Sequence, residues 1–257
     1  MICIKSGLLK TEHGFFTCRR GNSIGEYDSL NCSFTVGDNP ENVRQNLDIV
    51  CKTVGLKEGK LVVLDQVHGQ EVLTLNDSNC DDYIGCNKLQ RADAIVTSVP
   101  DLGVGILTAD CAPVLFHDGK NQVIGAAHTG WRGAFSGVIE STIAAMKNIG
   151  AKTEAISAVI GPCIHRESYF VGPEMLNLFV NDNQNNKAFF QPENGKLFFD
   201  LPGYVRKRIG DAGLTDISTI DVDTFIDENF FSYRRNSLKK RPVNCGRQIS
   251  VIYLKKY

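Results

Sequence analysis

One cysteine and two histidines carry the side chains best suited to chemistry in this chain. Cys111 and His128 lie within the stretch 103–133, and His68 lies in the segment Gln66-Val67-His68-Gly69. One thiolate and two imidazoles are a good ligand set for zinc, and three protein ligands leave a fourth position open, as catalytic zinc requires. Without a metal, Cys111 would instead act as a nucleophile with a histidine as its base. The residue types alone leave both chemistries open.

A predicted β-hairpin brings Cys111 and His128 together. Asp118-Gly119 is a turn signal between two apolar runs. If the turn is centred between Gly119 and Lys120, Cys111 lies directly opposite His128; if Asp118-Gly119 is a two-residue turn, His128 lies one diagonal step away. In both registers the two side chains share a face, because strand side chains alternate with a period of two. Facing Cβ atoms are about 4.5–5.5 Å apart, which suits a shared metal ion or a Cys–His pair.

The residues that follow His128 also indicate a ligand site. Thr129-Gly130-Trp131-Arg132-Gly133 contains two glycines, the only tryptophan of the chain and an arginine, at a predicted helix start. Phosphate-binding and dinucleotide-binding glycine motifs are absent in a strand–loop–helix setting, and neither Gly-x-Ser-x-Gly nor His-Glu-x-x-His occurs. The remaining candidate constellation is therefore His68, Cys111 and His128.

Composition restricts the possible partners and compartment. The chain has 257 residues, of which 42% are hydrophobic and 22% charged, and its net charge of −1 gives no electrostatic case for binding nucleic acid or an anionic membrane. No apolar run approaches the roughly 20 residues of a membrane span. The N-terminus lacks the apolar core of a signal peptide, and the nine cysteines are odd in number and contain no Cys-x-x-Cys. We therefore expect a cytoplasmic protein with reduced cysteines and no disulfide framework.

The elements that must position these residues are strands interspersed with helices. Residues 13–33, rich in Gly, Asn and Ser, are predicted to be a structured loop, and Gly69-Gln70 is predicted to be a tight hairpin turn that displays His68. Interspersed helices and hairpins favour an α+β fold, with mixed β-sheets sandwiched between helices, in a single domain over 1–257. A helix is predicted over 40–54, with Asp38-Asn39-Pro40 capping its start and Gly55 closing it. Further helices are predicted over 134–149, 173–181 and 201–212, and strands over 61–65, 94–99, 156–160, 217–220 and 249–254.

Several motifs resemble one family over nearly the whole chain, namely the laccase-domain family, also called the peptidoglycan editing factor or polyphenol-oxidoreductase-like family. The motifs that carry this resemblance are His13-Gly14-Phe15-Phe16-Thr17, Ser29-Leu30-Asn31, Gln66-Val67-His68-Gly69, Ala92-Asp93-Ala94, Thr108-Ala109-Asp110-Cys111-Ala112-Pro113-Val114, Ala127-His128-Thr129-Gly130-Trp131-Arg132-Gly133, Gly161-Pro162, Phe231-Ser232-Tyr233-Arg234-Arg235 and Gly246-Arg247-Gln248.

The resemblance implies a layered α/β/β/α fold similar to toxin deamidases that use a Cys–His pair, and it implies zinc bound by His68, Cys111 and His128. It also implies phosphorolysis of adenosine, inosine and methylthioadenosine, with deamination of adenosine. Small-molecule nucleoside and phosphate are the partners this predicts. Copper-dependent polyphenol oxidation, an older description of the family, is disfavoured because only five histidines are present.

Arg132 is our candidate for holding phosphate, since helix N-termini attract anions; the alternative is a surface arginine with no partner. Two departures from the family pattern affect phosphate binding: Leu47 follows Asn46 where an arginine is usual, and Cys18 follows Thr17. Two other functions stay open. One is a cytoplasmic amide hydrolase that edits peptidoglycan precursors through Cys111, and the other is a non-enzymatic binding protein stabilised by zinc.

Overall fold

Two mixed β-sheets lie face to face in the structure, a computed structural model that describes residues 2–86, 89–239 and 244–255, apart from the side chain of Cys86. Strands and helices are numbered in chain order. The first sheet contains, in spatial order, β1 (Cys3–Ile4), β2 (Glu12–Phe16), β14 (Gln248–Tyr253), β6 (Gly103–Thr108) and β3 (Leu61–Val62). The second contains β13 (Asp216–Thr219), β9 (Ile156–Ile160), β7 (Ala112–Asp118), β8 (Val123–Thr129), β5 (Ala94–Thr97) and β4 (Val72–Leu75).

Both sheets combine parallel and antiparallel pairs. In the first, β3 runs parallel to β6 and the other pairs are antiparallel. In the second, β4 is parallel to β5 and β13 is parallel to β9, while β7, β8 and their other neighbours are antiparallel. A third, small antiparallel sheet consists of β10 (Phe170–Val171), β12 (Lys196–Phe199) and β11 (Phe190–Glu193).

Helices cover the outer face of each large sheet, and three apolar cores separate the layers. One core joins the first sheet to α1, a second lies between the two sheets, and a third joins the second sheet to the remaining long helices. This confirms the predicted α+β class with its α/β/β/α layering. The helices are α1 (Pro40–Val54), α2 (Trp131–Ser136), α3 (Val138–Asn148), α4 (Pro173–Asp182), α5 (Leu201–Asp211) and α6 (Tyr233–Lys239).

The predicted helix over 40–54 is confirmed together with its capping residues. The side chain of Asn39 accepts a hydrogen bond from the backbone N–H of Glu41, Pro40 is the first helical residue, and Gly55 ends the helix in the left-handed conformation. The predictions over 156–160, 173–181, 201–212, 217–220 and 249–254 agree with β9, α4, α5, β13 and β14 to within about two residues at each end.

Some predicted elements differ from the structure. The single helix predicted over 134–149 is two helices, because Gly137 has a φ of 103° and ends α2 before α3 begins. The segment predicted as loop from residue 13 contains β2, whose residues His13 to Phe16 are buried. The structure also contains β10, β11, β12 and α6, which no pattern predicted. No helix of the described part of the chain is long and apolar enough to cross a membrane.

Candidate functional site

Cys111 lies in a strained turn between β6 and β7. The preceding residue, Asp110, has a φ of 86°, a conformation that costs a non-glycine residue on the order of 1–3 kcal/mol. Its carboxylate accepts hydrogen bonds from the Thr224 hydroxyl at 2.8 Å and from the Arg234 backbone N–H at 2.6 Å, and its carbonyl accepts one from the Ile164 N–H at 2.9 Å. These bonds hold the turn in place, and thereby fix the position of the thiol.

The β7–β8 hairpin exists, but both predicted registers are wrong. Pro113 faces His128, and the loop spans residues 119–122, because the Asp118 carboxylate accepts hydrogen bonds from the N–H groups of Lys120 and Asn121 and shapes a longer turn. Continued past the strand ends, this register places Cys111 opposite Gly130 and one diagonal step from His128. The predicted shared face of Cys111 and His128 is nevertheless observed, because the shift does not change the alternation of side chains.

Gly130 leaves room for the thiol. A Cβ at this position would lie 2.8 Å from Cys111 Sγ, closer than real Cβ contacts come, and 3.2 Å from His68 Cδ2, tighter than most of them. The neighbouring Gly133 allows a similarly close approach of α2 to the carbonyl of Gly69, at 3.1 Å from a hypothetical Cβ. Both glycines of the 129–133 segment therefore bring the helix start against the two loops that carry Cys111 and His68.

His68 does not lie in a hairpin. Its flanking strands β3 and β4 belong to different sheets, so the segment between them crosses from one sheet to the other, and the predicted hairpin turn at Gly69-Gln70 is wrong. His68 has a φ of 61°. The backbone N–H groups of Val67, His68 and Gly69 all donate to the carboxylate of Asp93, at 3.2, 2.9 and 2.6 Å. A single buried acid thus fixes the whole turn.

Asp93 also holds the second histidine. Nδ1–H of His128 donates to Asp93 Oδ1 at 2.8 Å, and this hydrogen bond leaves Nε2 of His128 free to act as a ligand. Burial acts to raise the pKa of Asp93, but the hydrogen bond and charge of His128 and the turn N–H groups outweigh it and hold the pKa below its ordinary value. No role was predicted for Asp93 from the sequence; the signal that could have found it is a lone acid between alanines just before a buried strand.

The three predicted ligands meet in one cluster. Their nearest ligand atoms all lie within 4.8 Å of one another, with Cys111 Sγ 3.9 Å from His68 Nε2, and the two imidazole rings are 4.7 Å apart between centroids. Zinc bonds of about 2.0–2.3 Å bring tetrahedral donors within about 4 Å of each other, so small side-chain movements suffice. His128 is buried, Cys111 is partly buried and His68 is exposed, so the cluster faces solvent on one side.

The metal-free cluster has the electrostatics of an ion pair. Burial acts to raise the pKa of Cys111, but the positive charge and hydrogen bond of His128, with those of His68, lower it to about 6. Burial acts to lower the pKa of His128, but the charge of Cys111 and the hydrogen bond to Asp93 raise it to about 9. At neutral pH the pair is therefore thiolate and imidazolium, the form in which a cysteine is most reactive and most ready to bind metal.

A cavity of about 820 Å³ opens beside the cluster. Gln66 helps to shape it, because its side-chain amide pairs with both the N–H and the carbonyl of Leu107 at 2.8 and 2.7 Å. Thr108 lines the cavity, and its hydroxyl is buried without a hydrogen-bond partner among the described residues. The aromatic and cationic side chains that line the cavity are Trp131, Tyr169, Tyr233, Arg132, Arg234 and Arg247.

Arg132 faces this cavity with its guanidinium 4.5 Å from the Trp131 ring. It is exposed, and α2 is only six residues long, so the helix dipole adds little to the anion attraction that we predicted. Arg234 and Arg247 were not identified as site residues from the sequence, although both lie in motifs that carry the family resemblance. Arg235, the neighbour of Arg234, instead donates to the carbonyls of Thr224, Phe225 and Phe230.

Neither Leu47 nor Cys18, the two departures from the family pattern, lines the cavity. Leu47 is buried against the first sheet in α1, and Cys18 is buried in a small cluster with Ala109, Phe231 and Cys245. The other histidines that the structure describes, among them His117 on β7, take no part in the metal-ligand group. The eight cysteines whose side chains the structure describes are all free of disulfide bonds, as predicted.

The class of protein is defined by three features together: the layered fold, the Cys–His–His cluster and the motifs that flank it. The chain belongs to the family described as multi-copper polyphenol oxidoreductase laccase, whose model matches residues 12–255.

Proteins similar to this chain align with it over most of its length. A Haemophilus influenzae protein named purine nucleoside phosphorylase is 36% identical over 249 residues, covering 95% of each chain. The Escherichia coli purine nucleoside phosphorylase YfiH is 34% identical over 235 residues, covering 91% of this chain and 90% of its own. A Neisseria meningitidis protein of known structure superposes with a TM-score of 0.86 at 30% identity over the full length of both chains.

Proposed function

We propose that this protein is a zinc-dependent purine nucleoside phosphorylase that also deaminates adenosine. The observation that carries the proposal is the cluster of His68, Cys111 and His128 beside a large cavity lined by arginines and aromatic rings. The names of its relatives, purine nucleoside phosphorylase, support the same reaction class.

Zinc suits the donor set better than copper does. A thiolate with two imidazoles, one of them oriented by a buried carboxylate, is typical of zinc sites with an open position, where the metal supplies Lewis acidity that activates water. A multicopper oxidase needs many histidines, and this chain has five in all. His68, Cys111 and His128 are the residues that we propose as zinc ligands.

The cavity offers suitable groups for both substrates. A purine ring can stack on Trp131, Tyr169 or Tyr233, which the cavity exposes. Phosphate, the nucleophile of phosphorolysis, carries about two negative charges, and Arg132 with Arg234 offers charge-assisted hydrogen bonds to it. The hydroxyl of Thr108, which has no hydrogen-bond partner among the described residues, is available to a hydroxyl or ring nitrogen of the nucleoside. The aromatic rings therefore serve both reactions, whereas Arg132 and Arg234 serve only phosphorolysis, because deamination uses no phosphate.

One observation favours the second candidate, the amide hydrolase. Cys111, His128 and Asp93 form a thiolate–imidazole–carboxylate series, the arrangement that activates a cysteine nucleophile. Such an enzyme needs no phosphate. Phosphate dependence and metal content therefore separate the two candidates, and a zinc-stabilised binding protein would show turnover in neither assay.

The reaction is tested by incubating the purified protein with adenosine, with and without phosphate, and separating the products. Without phosphate we expect water to replace the amino group and give inosine and ammonia. With phosphate we expect adenine, hypoxanthine and ribose 1-phosphate. Turnover in neither condition contradicts the proposal and favours the amide hydrolase.

Arg132→Ala should reduce phosphorolysis more than deamination, because only phosphorolysis places a phosphate against the sugar. A lost charge-assisted contact of about 1.5–3 kcal/mol corresponds to a roughly ten- to hundred-fold loss. Arg206→Ala is the control, since Arg206 lies on α5 and donates to the Ile217 carbonyl, away from the cavity. Equal loss of both activities in Arg132→Ala would assign Arg132 to the fold or to the shared purine site.

Elemental analysis tests the metal. We expect close to one zinc per chain, retained in His117→Ala and His165→Ala and lost in the Cys111→Ala, His128→Ala double variant. Protein without a transition metal, or with several coppers, contradicts the proposed site. Retained zinc in the double variant would show that other residues are the ligands.

A further inference from the structure

The cavity holds more positive charge than a nucleoside and one phosphate require. Arg132, Arg234 and Arg247 all line it, and none of the three forms an ion pair with a carboxylate of the described residues. The lining acid is Asp110, whose two carboxylate oxygens already accept hydrogen bonds from Thr224 and from the backbone of Arg234. Unpaired guanidiniums concentrated in a cleft attract anionic ligands.

The three arginines belong to two walls of the cavity. Arg234 stacks on Phe170 at 4.5 Å and lies 5.3 Å from the Tyr169 ring, and Arg132 extends from the wall that holds Trp131. Cys111 adjoins this wall, because a Cβ on Gly130, the residue before Trp131, would lie 2.8 Å from Cys111 Sγ, and the backbone N–H of Arg234 donates to Asp110, the residue before Cys111. Arg132 and Arg234 therefore belong to the segments that contact the Cys111 turn, and we assign the phosphate of phosphorolysis to them.

Arg247 lies on the other wall, beside Tyr233 and the 31–36 loop. Its guanidinium is 6.0 Å from the Tyr233 ring, its backbone N–H donates to Asn31 Oδ1 at 2.9 Å, and its carbonyl accepts from the N–H of Cys32 at 2.9 Å. Ser33 and Thr35, whose hydroxyls are 3.1 Å apart, line the cavity on the same side. This wall offers a cation and two hydroxyls, which are donors suited to a phosphate group.

The guanidinium of Arg247 is held at one edge and free at the other. Its Nη1 donates to the carbonyls of Cys245 and Gly246 at 2.6 and 3.0 Å, while Nε and Nη2 have no partner among the described residues. A planar guanidinium fixed in this way loses little conformational entropy when it binds a phosphate through two parallel hydrogen bonds. The side chain is thus prepared for an anion that the described part of the chain does not supply.

We propose that the cavity binds purine nucleosides phosphorylated at the 5′ position, with Arg247, Ser33 and Thr35 holding the 5′-phosphate. The proposal rests on the proposed nucleoside function and extends it to nucleotides. The nucleoside then spans the two walls, with its C1′ end toward Cys111 and its 5′ end toward Arg247. A cavity of about 820 Å³ is within the range that encloses ligands of this size.

Calorimetric titration of the zinc-loaded protein with adenosine and with adenosine 5′-monophosphate tests this proposal. We expect the nucleotide to bind ten- to hundred-fold more tightly than the nucleoside, the gain typical of a charge-assisted pair. Arg247→Gln should abolish most of that preference, Arg247→Lys should retain part of it, and Arg206→Ala should leave it unchanged. Equal affinity for both ligands in the unmodified protein, or an unaltered preference in Arg247→Gln, overturns the proposal.

A competition experiment separates the two phosphate positions. Saturating inorganic phosphate should leave the nucleotide bound, because each anion has its own arginines. Competitive displacement would place the nucleotide phosphate on Arg132 and Arg234 and overturn the assignment to Arg247. A thermal melt of each variant confirms folding. Should adenosine undergo no turnover while the nucleotide preference still depends on Arg247, the proposed reaction fails and the binding site stands.

Discussion

At the scale of single residues, Asp93 has the largest effect on the geometry of the site. Its carboxylate accepts hydrogen bonds from three backbone N–H groups of the His68 turn and from the Nδ1–H of His128, so two of the three proposed ligands depend on one buried acid. Outer-shell carboxylates of this kind orient metal-ligating histidines and select their tautomer. The cluster therefore rests on a residue that supplies none of the proposed ligand atoms.

Asp93→Asn should lower zinc affinity about ten- to hundred-fold, because the amide cannot accept the same set of hydrogen bonds. Competition with a chelator measures the affinity. Asp118→Asn is the matched control: Asp118 is also buried and accepts N–H groups from Lys120, Asn121 and Lys152, but it lies at the far end of β7. Both variants should lose stability, and only Asp93→Asn should lose metal. Equal zinc affinity in the two variants would contradict this role.

The pKa of Cys111 gives a second prediction at this scale. Burial acts to raise it, but His128 and His68 lower it to about 6, so in zinc-free protein the thiolate predominates at pH 7 and disappears as the pH falls through 6. Alkylation by iodoacetamide, followed by mass spectrometry, should show this midpoint. Cys163 and Cys245 are internal controls, because burial raises the pKa of both, that of Cys245 to about 11. A midpoint near 9 for Cys111 would contradict the ion pair with His128.

At the scale of elements, the site depends on how closely α2 approaches the loops beneath it. The N-terminus of α2 carries Gly130 next to the thiol, and its C-terminus is held by Arg208 of α5, which donates to the carbonyls of Ala134 and Phe135 and pairs with Glu140 of α3. A short helix would fray without such contacts, since few of its backbone groups bond within the helix. Arg208 therefore holds the C-terminal end of α2 in place.

Gly130→Ala should weaken zinc binding while the fold persists. The new Cβ would lie 2.8 Å from Cys111 Sγ, so the thiol or the helix start must move away from the position that suits the metal. Gly210→Ala in α5 is the control, because a Cβ there meets nothing within 4 Å and alanine stabilises a helix interior by about 0.5–1 kcal/mol. Zinc content after dialysis compares the two variants. Full zinc retention in Gly130→Ala would show that the site adapts to the extra methyl group.

At the scale of the whole molecule, two buried histidines outside the site connect stability to pH. His13 of β2 and His117 of β7 are 3% and 5% exposed, on the two sheets that face each other. Burial lowers the pKa of His13, helped by Lys5 and opposed by the Thr11 carbonyl and Glu12. Burial also lowers the pKa of His117, opposed by Asp118 and helped by His13. Both imidazoles are therefore held neutral in the fold.

The free energy of unfolding should fall as the pH drops below the unfolded histidine pKa of about 6.5. This direction follows from linkage, because the unfolded state binds protons that the buried imidazoles of the folded state do not bind. The free energy of unfolding then falls by at most about 1.4 kcal/mol per pH unit for each histidine. Urea denaturation of zinc-free protein between pH 8 and pH 5 measures this. His117→Gln should give a shallower decline, while contributions from the metal ligands are common to both proteins. Identical slopes would contradict the assignment.

Local sequence pattern was sufficient to predict features that depend on a single helix or strand. Asn39, Pro40 and Gly55 predicted α1 because capping depends on neighbours in the chain. The alternation of side chains placed Cys111 and His128 on one face even with the wrong register, because a register shift by whole pairs leaves the face unchanged. The residue types of the trio predicted metal chemistry because coordination depends on donor atoms.

Tertiary structure decided what depends on residues distant in sequence. The segment of His68 looked like a hairpin, but β3 and β4 pair with different partners, and no local signal reports which sheet a strand joins. Asp93 acquired its role because β5 lies next to β8, which brings its carboxylate to His128 across 35 positions of sequence. Arg234 faces the cavity while its neighbour Arg235 does not, since the packing of α6 selects between two adjacent identical side chains. The atoms that can bind a metal follow from the residue types and are visible in the sequence. The cavity is not, because it forms only where the sheets and helices converge in the fold.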